Sequence, residues 1–387
     1  MEKISPRLLN WASILEPRTR EQAERTARMP FIHPHVALMP DAHLGKGATV
    51  GSVIPTEGAI IPAAVGVDIG CGMMAVRTQF SASTLDGRDL DALHARVSRA
   101  IPLSAGGRNT TLTDTAAARV GELRALPGAG QADEAVARWP LQLGSLGSGN
   151  HFIEVSLDEA GRVWLFLHSG SRGVGNRLAQ RHIAVAQEQC RRRSVSLPDR
   201  DLAYLVEAEP EFDAYLEALH WAQRFAYLNR EEMMDRLVEQ TGDFVGTAVE
   251  RLETINCHHK YTERERHFGR DVWLSRKGAI SAREGQPGLI PGSMGAASYV
   301  VAGKGNVLAL HSSPHGAGRN HSRTAARKRF DRADLDRRMA GIAWGRSDAF
   351  LDEHPDAYKP IDQVMADAAD LVEVRHTLRQ VVNVKGN

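Results

Sequence analysis

Cysteine is scarce in this sequence: Cys71, Cys190 and Cys257 are the only three in 387 residues. Three scattered thiols cannot build a disulfide framework, and such usage suits a reducing compartment. Aromatic residues make up only 6%, which leaves little for the stacking platforms of a purely binding single-strand protein. An excess of either charge is missing too, since 48 Lys and Arg oppose 47 Asp and Glu. With no global basic field, any nucleic acid has to be held by a local patch. No apolar run approaches a membrane span; the longest, "AIIPAAVGV", is broken by Pro62. The N-terminal "MEKISPRLLNWASILEPRTR" shows no apolar core of a signal peptide. Together these absences predict a cytoplasmic protein without a membrane partner.

What is present has the texture of an α/β or mixed α+β protein. No fixed-period repeat or linker divides the chain, so a single domain over 1–387 is expected, with a helical segment at about 176–240. Thr19 followed by Gln22 reads as a capping box opening a helix that stops near Pro30. "VGSVIPT" and "MMAVRT" read as strands, and "HFIEVSL" with "VWLFLHSGS" as a strand pair. Asn176 to about Arg192 reads as helix. After Pro210, Phe212, Tyr215, Leu216, Leu219 and Ala222 recur at helical spacing, towards Gln240. "DVWLSRKGAI", "SYVVAGKGNVLAL" and the tail "LVEVRHTLRQVVNVKGN" return to strand texture.

Several potential metal ligands sit where strands break at glycine. "GVDIGCGMM" places Asp68 and Cys71 three apart among glycines, "GSGNHFIEV" puts His151 at a strand start, and "LFLHSGSRGVG" puts His168 at a strand end. "INCHHKY" adds His258 and His259, without a glycine beside them. One thiolate, one carboxylate and several imidazoles suit one or two divalent ions, and by donor type alone zinc. A thiolate between two ions could bridge them. Each residue alone has a plainer reading, a hydrogen-bonded histidine or a small buried thiol, and Cys190 and Cys257 are left in that class.

Glycine loops recur as well: "GSLGSGN", "HSGSRGVGN", "PGSMGAAS" and "HGAGR". Successive backbone N–H groups in such loops can surround an anion. None fits the P-loop pattern. The stretch "HSSPHGAGRNHSR" holds His315 at the mouth of such a loop, with Arg319 beside it. A core histidine needs no such loop, and a metal ligand needs no arginines. Phosphate chemistry uses both.

"MPDAHLGKG", "VGVDIGCG", "GSLGSGNHFIE", "HSGSRGVGN", "NCHHKY", "PGSMGAASYVV" and "HGAGR" together resemble the motifs of the RtcB family of RNA ligases, in the family's order, from about Met39 to the terminal "VKG". The resemblance implies a single α/β domain of RtcB type with a β-rich core, flanking helices and a metal-bearing cleft. It implies an enzyme that joins an RNA 3′-phosphate or 2′,3′-cyclic phosphate to a 5′-hydroxyl, as in tRNA splicing or RNA repair, using GTP and two Mn2+ ions. It assigns His315 as the residue that takes GMP, and Asp68, Cys71, His151, His168 and His259 as the metal ligands, with Cys71 bridging. Asn150, Glu154, Ser293, Ser298 and Lys385 match guanylate-holding positions, Tyr358 a tyrosine near guanine, and Arg172 and Arg319 phosphate contacts. Gly316, Ala317 and Gly318 supply backbone donors.

Asp41 and His43 of "MPDAH" have two equal readings, structural or in proton movement and alignment of the 5′ end. One position departs from the family: Lys260 stands where many members have asparagine. The alternative activity is a metal-dependent phosphoesterase or end-capping nucleotidyltransferase that does not seal. The natural RNA, or DNA, and any accessory activator are left open.

Overall fold

In the computed structural model, which describes residues 1–386, two β-sheets carry the architecture. The larger runs in the order Arg251–His258, Gly72–Ser81, Arg162–Ser169, Phe152–Leu157, Val372–Val384, Ser298–Gly303 and Pro287–Ile290. The short strand Ala343–Trp344 pairs alongside Val372–Val384. The smaller sheet runs Glu2–Ser5, Leu8–Asn10, Val36–His43, Val50–Thr56, Arg270–Lys277 and Lys260–His267. This is a mixed α/β fold with a β-rich core.

Burial on both faces explains the unbroken apolar runs of the larger sheet. Met73 and Ala75 turn to a core shared with Val53, Val272 and Leu274 of the smaller sheet. Met74 and Val76 turn the other way. They share a core with Leu93 and Val97 of the helix Leu90–Ala100, and with Met233, Met234 and Leu237 of the helix Pro210–Val245. The neighbouring strand repeats the pattern, with Trp164 and Phe166 on the first side and Val163, Leu165 and Leu167 on the second. Successive strand residues face opposite ways, so a doubly covered strand reads "VWLFL" without alternation. Each such side chain contributes roughly 1.5–3 kcal/mol.

The helical stretch is two helices, Arg172–Arg192 and Pro210–Val245, separated by a 3-10 turn and the short strand Leu205–Val206. The second starts with Pro210 in its first turn and ends at Gly246, whose φ is 83°. Both residues suit those positions, proline by its fixed φ and glycine by its tolerance of the left-handed region. The expected capping box at Thr19 does not form. The helix Pro17–Ala27 begins earlier, on Pro17, and Gln22 reaches instead to the backbone of Gly45. "SYVVAGKGNVLAL" is strand only over Ser298–Gly303 and turns thereafter.

Candidate active site

Strand ends bring the histidines together. Met73 and Phe152 both pair with His168, and Gly72 pairs with His258, so four neighbouring strands have an end at one edge of the larger sheet. Cys71 and His151 immediately precede two of these strands. His259 lies where the chain leaves the larger sheet for the smaller one, and its N–H donates to the Cys71 carbonyl at 2.8 Å. Gly70 sits at φ 72°, and a Cβ there would stand 2.8 Å from the Ala226 methyl. Only glycine lets the Asp68–Cys71 turn press this closely on the long helix.

The side chains converge. Cys71 Sγ lies 3.3 Å from His151 Nε2 and 3.2 Å from His168 Nε2. His168 Nε2 is 2.9 Å from His259 Nε2, and His151 Nε2 is 3.1 Å from Asp68 Oδ2. The outer edges of two rings are fixed, with His151 Nδ1 donating to the Leu146 carbonyl and His168 Nδ1 to the Asn150 carbonyl, each at 3.0 Å. These outer contacts fix the orientation of both rings and turn each Nε2 inward.

Electrostatics sharpens this arrangement. Burial, then neighbouring imidazoles and Lys260, hold His168 and His259 well below the usual histidine range, so both stay neutral. Burial and the charge of Asp68 push the Cys71 thiol up. Burial opposes ionisation of Asp68, yet His151 and Lys260 outweigh it and keep the carboxyl below its ordinary range. Inward lone pairs packed this closely have too few protons to satisfy one another. A divalent cation satisfies them and draws the proton from Cys71, so the donor set fits a metal.

His258 takes no part. Its Nδ1 sits 2.8 Å from the Gly70 carbonyl, and its ring packs near Tyr227 and Tyr261.

His315 follows the short strand Ser312–Pro314, and its ring centre is 4.5 Å from that of His259. On its other side Nδ1 is 2.6 Å from Oδ2 of the fully buried Asp41. The same oxygen accepts the His315 backbone N–H at 3.1 Å. The 2.6 Å contact is not aligned as a hydrogen bond, and Nδ1 is left without a hydrogen-bond partner among the described residues. Gly318, at φ 73°, lets the "HGAGR" loop lie against the Asp41 carbonyl, which a Cβ would approach to 2.2 Å. Lys359 Nζ, donating to the carbonyls of Pro40 and Ala42 at 3.1 and 2.7 Å, fixes the strand from behind.

From His168 and His315 opens a cavity of about 230 Å3. Asn150, Glu154, Ser293, Gly316, Ala317, Gly318, Arg319, Tyr358 and Lys385 all line it, as does His43. Glu154 Oε1 accepts from Asn383 at 3.0 Å, while its buried Oε2 has no partner. Burial raises this carboxyl to about 8 against the pull of Lys385 and Asn383. Arg319 is held by the protein itself, donating to Tyr358 Oη at 2.9 Å and Glu353 at 3.2 Å.

Ser298 and Arg172 lie off this wall. The Ser298 hydroxyl accepts from the Gly292 N–H at 3.4 Å behind the loop. Arg172 donates to the Ser145 hydroxyl and the Ser104 carbonyl. Among the polar wall residues, Glu353 and Asn383 escaped the sequence reading, and Arg323 was visible only as the second arginine of "HSSPHGAGRNHSR". Glu353 is buried and anchors Arg319, Tyr358 and Lys385 together. Glu353 stands five residues before Tyr358, and Asn383 two before Lys385 near the end of the strand Val372–Val384, spacings too general to single either out.

Residues 22–386 match the family model described as tRNA-splicing ligase RtcB. The chain is 47% identical to the RNA-splicing ligase RtcB of Escherichia coli (strain K12), over 96% of this chain and 95% of that protein. It is 32% identical to the RNA-splicing ligase RtcB of Mycobacterium tuberculosis (strain H37Rv), over 89% and 94% of the two chains. The tRNA-splicing ligase RtcB of Pyrobaculum aerophilum shares 29% identity over 94% of this chain and 89% of its own. With a family match over nearly its whole length and relatives of this closeness, the chain belongs to the RtcB family of RNA ligases.

Proposed function

We propose that this RNA ligase joins RNA 3′-phosphate or 2′,3′-cyclic phosphate ends to 5′-hydroxyl ends, with GTP and Mn2+, carrying GMP on His315. One observation carries the reading: the His315 ring stands between a buried carboxylate and the imidazole of His259, 2.6 Å from the one and 4.5 Å between ring centres from the other. Asp41 facing Nδ1 favours the tautomer protonated there, which leaves the Nε2 lone pair free as nucleophile.

In the first step His315 Nε2 bonds to the α-phosphorus of GTP as the bond to pyrophosphate breaks. Asp41 offsets the positive charge that then forms on the ring. Asp68, Cys71, His151, His168 and His259 would hold the two Mn2+ ions, which neutralise charge on the phosphates. GMP next passes to an oxygen of the RNA 3′-phosphate, giving the phosphorus a leaving group. The 5′-hydroxyl oxygen bonds to that phosphorus, its proton is lost, and GMP departs. Cyclic ends are opened by hydrolysis beforehand.

Glu154 supports the choice of nucleotide. Guanine presents two adjacent donors, N1–H and the N2 amino group, which a carboxylate accepts as a pair; adenine presents an acceptor and a donor there. The unpartnered Glu154 Oε2 in the cleft wall suits the former. A phosphoesterase that never seals would need the cation cluster but no wall built for a base.

The test is a gel assay on paired RNA strands with defined termini, comparing GTP with ATP and manganese with zinc. Joining only with GTP, lost in His315→Ala, is the expected result. End opening without joining, unchanged in His315→Ala, would favour the phosphoesterase.

A further inference from the structure

A second, smaller cavity touches the cation cluster from another side. Its volume is about 160 Å3, and its walls include Lys46, Lys260, Lys277, Asp68, Asp201 and Gly66. It shares Val50 and Lys260 with the large cleft, so the two adjoin. They reach the centre through different residues, since the large cleft is walled by His168 and His315 and the small one by Asp68.

Three lysine stems converge here for reasons of register. Lys260 pairs directly with Lys277 on neighbouring strands, which puts both side chains on one face. A Cβ on Gly66 would lie 3.8 Å from Lys277 Cε and 3.9 Å from Lys260 Cδ. Lys277 is buried, with its amine donating to the carbonyls of Lys46 and Ala63. Burial first, then the charge of Lys260, pull that amine down to about 7 against the opposing charge of Asp201. Lys46 and Lys260 have no side-chain hydrogen bond or ion pair among the described residues. Two carboxylates share these walls, Asp68 paired with His151 and Asp201 accepting from Gln187 at 3.0 Å, and neither forms an ion pair with a lysine among the described residues.

Three lysines against two carboxylates, with no ion pair between them, leave cationic charge unmatched, at a cost in stability. An oxyanion removes that cost. The chemistry says which one. In-line displacement at phosphorus requires the incoming oxygen opposite the leaving GMP. If GMP leaves into the large cleft, the strand bearing the 5′-hydroxyl arrives from elsewhere. The small cavity, walled by Asp68, is a second opening beside the centre.

We infer that Lys46, Lys260 and Lys277 form a phosphate subsite that takes a backbone phosphate of the 5′-hydroxyl strand and aims that strand at the cation centre. This rests on the ligase reading above. The other source of the same chemistry is the pyrophosphate end of GTP, so the experiment separates the two.

Wild type, Lys260→Asn, Lys260→Arg and Lys46→Ala are first guanylylated at varied GTP, then single-turnover sealing is followed at varied 5′-hydroxyl RNA. Lys260→Asn and Lys46→Ala should each raise the half-saturating strand concentration about tenfold. The salt slope should flatten by ~1. Guanylylation should be unmoved in Lys46→Ala, whereas Lys260→Asn, beside His259 and in the wall of the large cleft, should shift its strand dependence more than its GTP dependence. Lys260→Arg should retain most binding. Anisotropy of a labelled 5′-hydroxyl RNA should weaken in parallel. Two results overturn the assignment: strand dependence unchanged in both variants, or a shift confined to GTP, which would give the cavity to pyrophosphate. If the wild type takes up no GMP at all, the ligase reading itself has failed.

Discussion

Nδ1 of His315 and Oδ2 of Asp41, 274 positions apart in sequence, stand 2.6 Å from each other. The pair exists because the "HGAGR" loop, turning through Gly318, lies on the backbone of the "MPDAH" strand. One carboxylate oxygen meets both the ring and the backbone N–H of the same histidine, which fixes the position of the ring.

Asp41→Asn keeps the shape and removes the charge. Formation of the His315 adduct should slow by roughly 10²- to 10⁴-fold. The GTP concentration for half-maximal rate should change little, because Asp41 faces away from the guanylate wall. Single-turnover labelling across GTP concentrations checks both numbers.

His258 and His259 are neighbours with opposite duties in this geometry. His259→Ala should lower the Mn2+ bound per chain, read by elemental analysis after gel filtration. His258→Ala should leave metal content intact and act, if at all, on stability through the Gly70 turn. Equal metal loss in both would contradict the placement.

Glu154 predicts how GTP affinity varies with pH. Burial holds its carboxyl protonated up to about 8, while accepting two guanine donors requires the ionised form. Binding must then expel a proton at lower pH, so affinity should climb between about pH 6.5 and 8, by at most tenfold per unit, and level off above. Glu154→Gln should abolish the slope and weaken the preference for GTP over ATP. Calorimetric or fluorescence titration of both variants measures it.

Glu265 offers a test away from the active site. Burial alone would raise its carboxyl, but His267, Arg276 and Arg283 outweigh burial and bring it from 4.5 to about 2. A depressed acid stabilises above its unfolded value and loses that contribution as pH falls towards the folded one. The contribution is about 3 kcal/mol, present above about pH 4.5 and lost as the pH falls towards 2. Glu265→Gln should lower the denaturant midpoint at neutral pH and flatten its fall in acid.

Much of the sheet was legible because its signals are local. "VGSVIPT" is the strand Val50–Thr56, and "HFIEVSL" and "VWLFLHSGS" pair as expected. The helices Leu90–Ala100, Asp114–Arg124 and Ala129–Ala135 were not read, because each buries only one to three apolar side chains on an otherwise polar segment. Pro17 set the start of its helix against the Thr19 signal. In the site, Cys71, His151 and His168 were visible at their glycine junctions, whereas the pairing of His315 with Asp41 depends on a loop meeting a strand distant in sequence. Glu353 was silent for the same reason: nothing in "LDEHPDAYK" says which acid turns inward.

The measurement closest to the central claim is peptide mapping by mass spectrometry after incubation with GTP and Mn2+, under conditions that spare phosphoramidates. The account predicts a GMP adduct on the peptide containing His315, acid-labile and absent in His315→Ala. No adduct on a protein that has bound its cations, or an adduct on another residue, would contradict it.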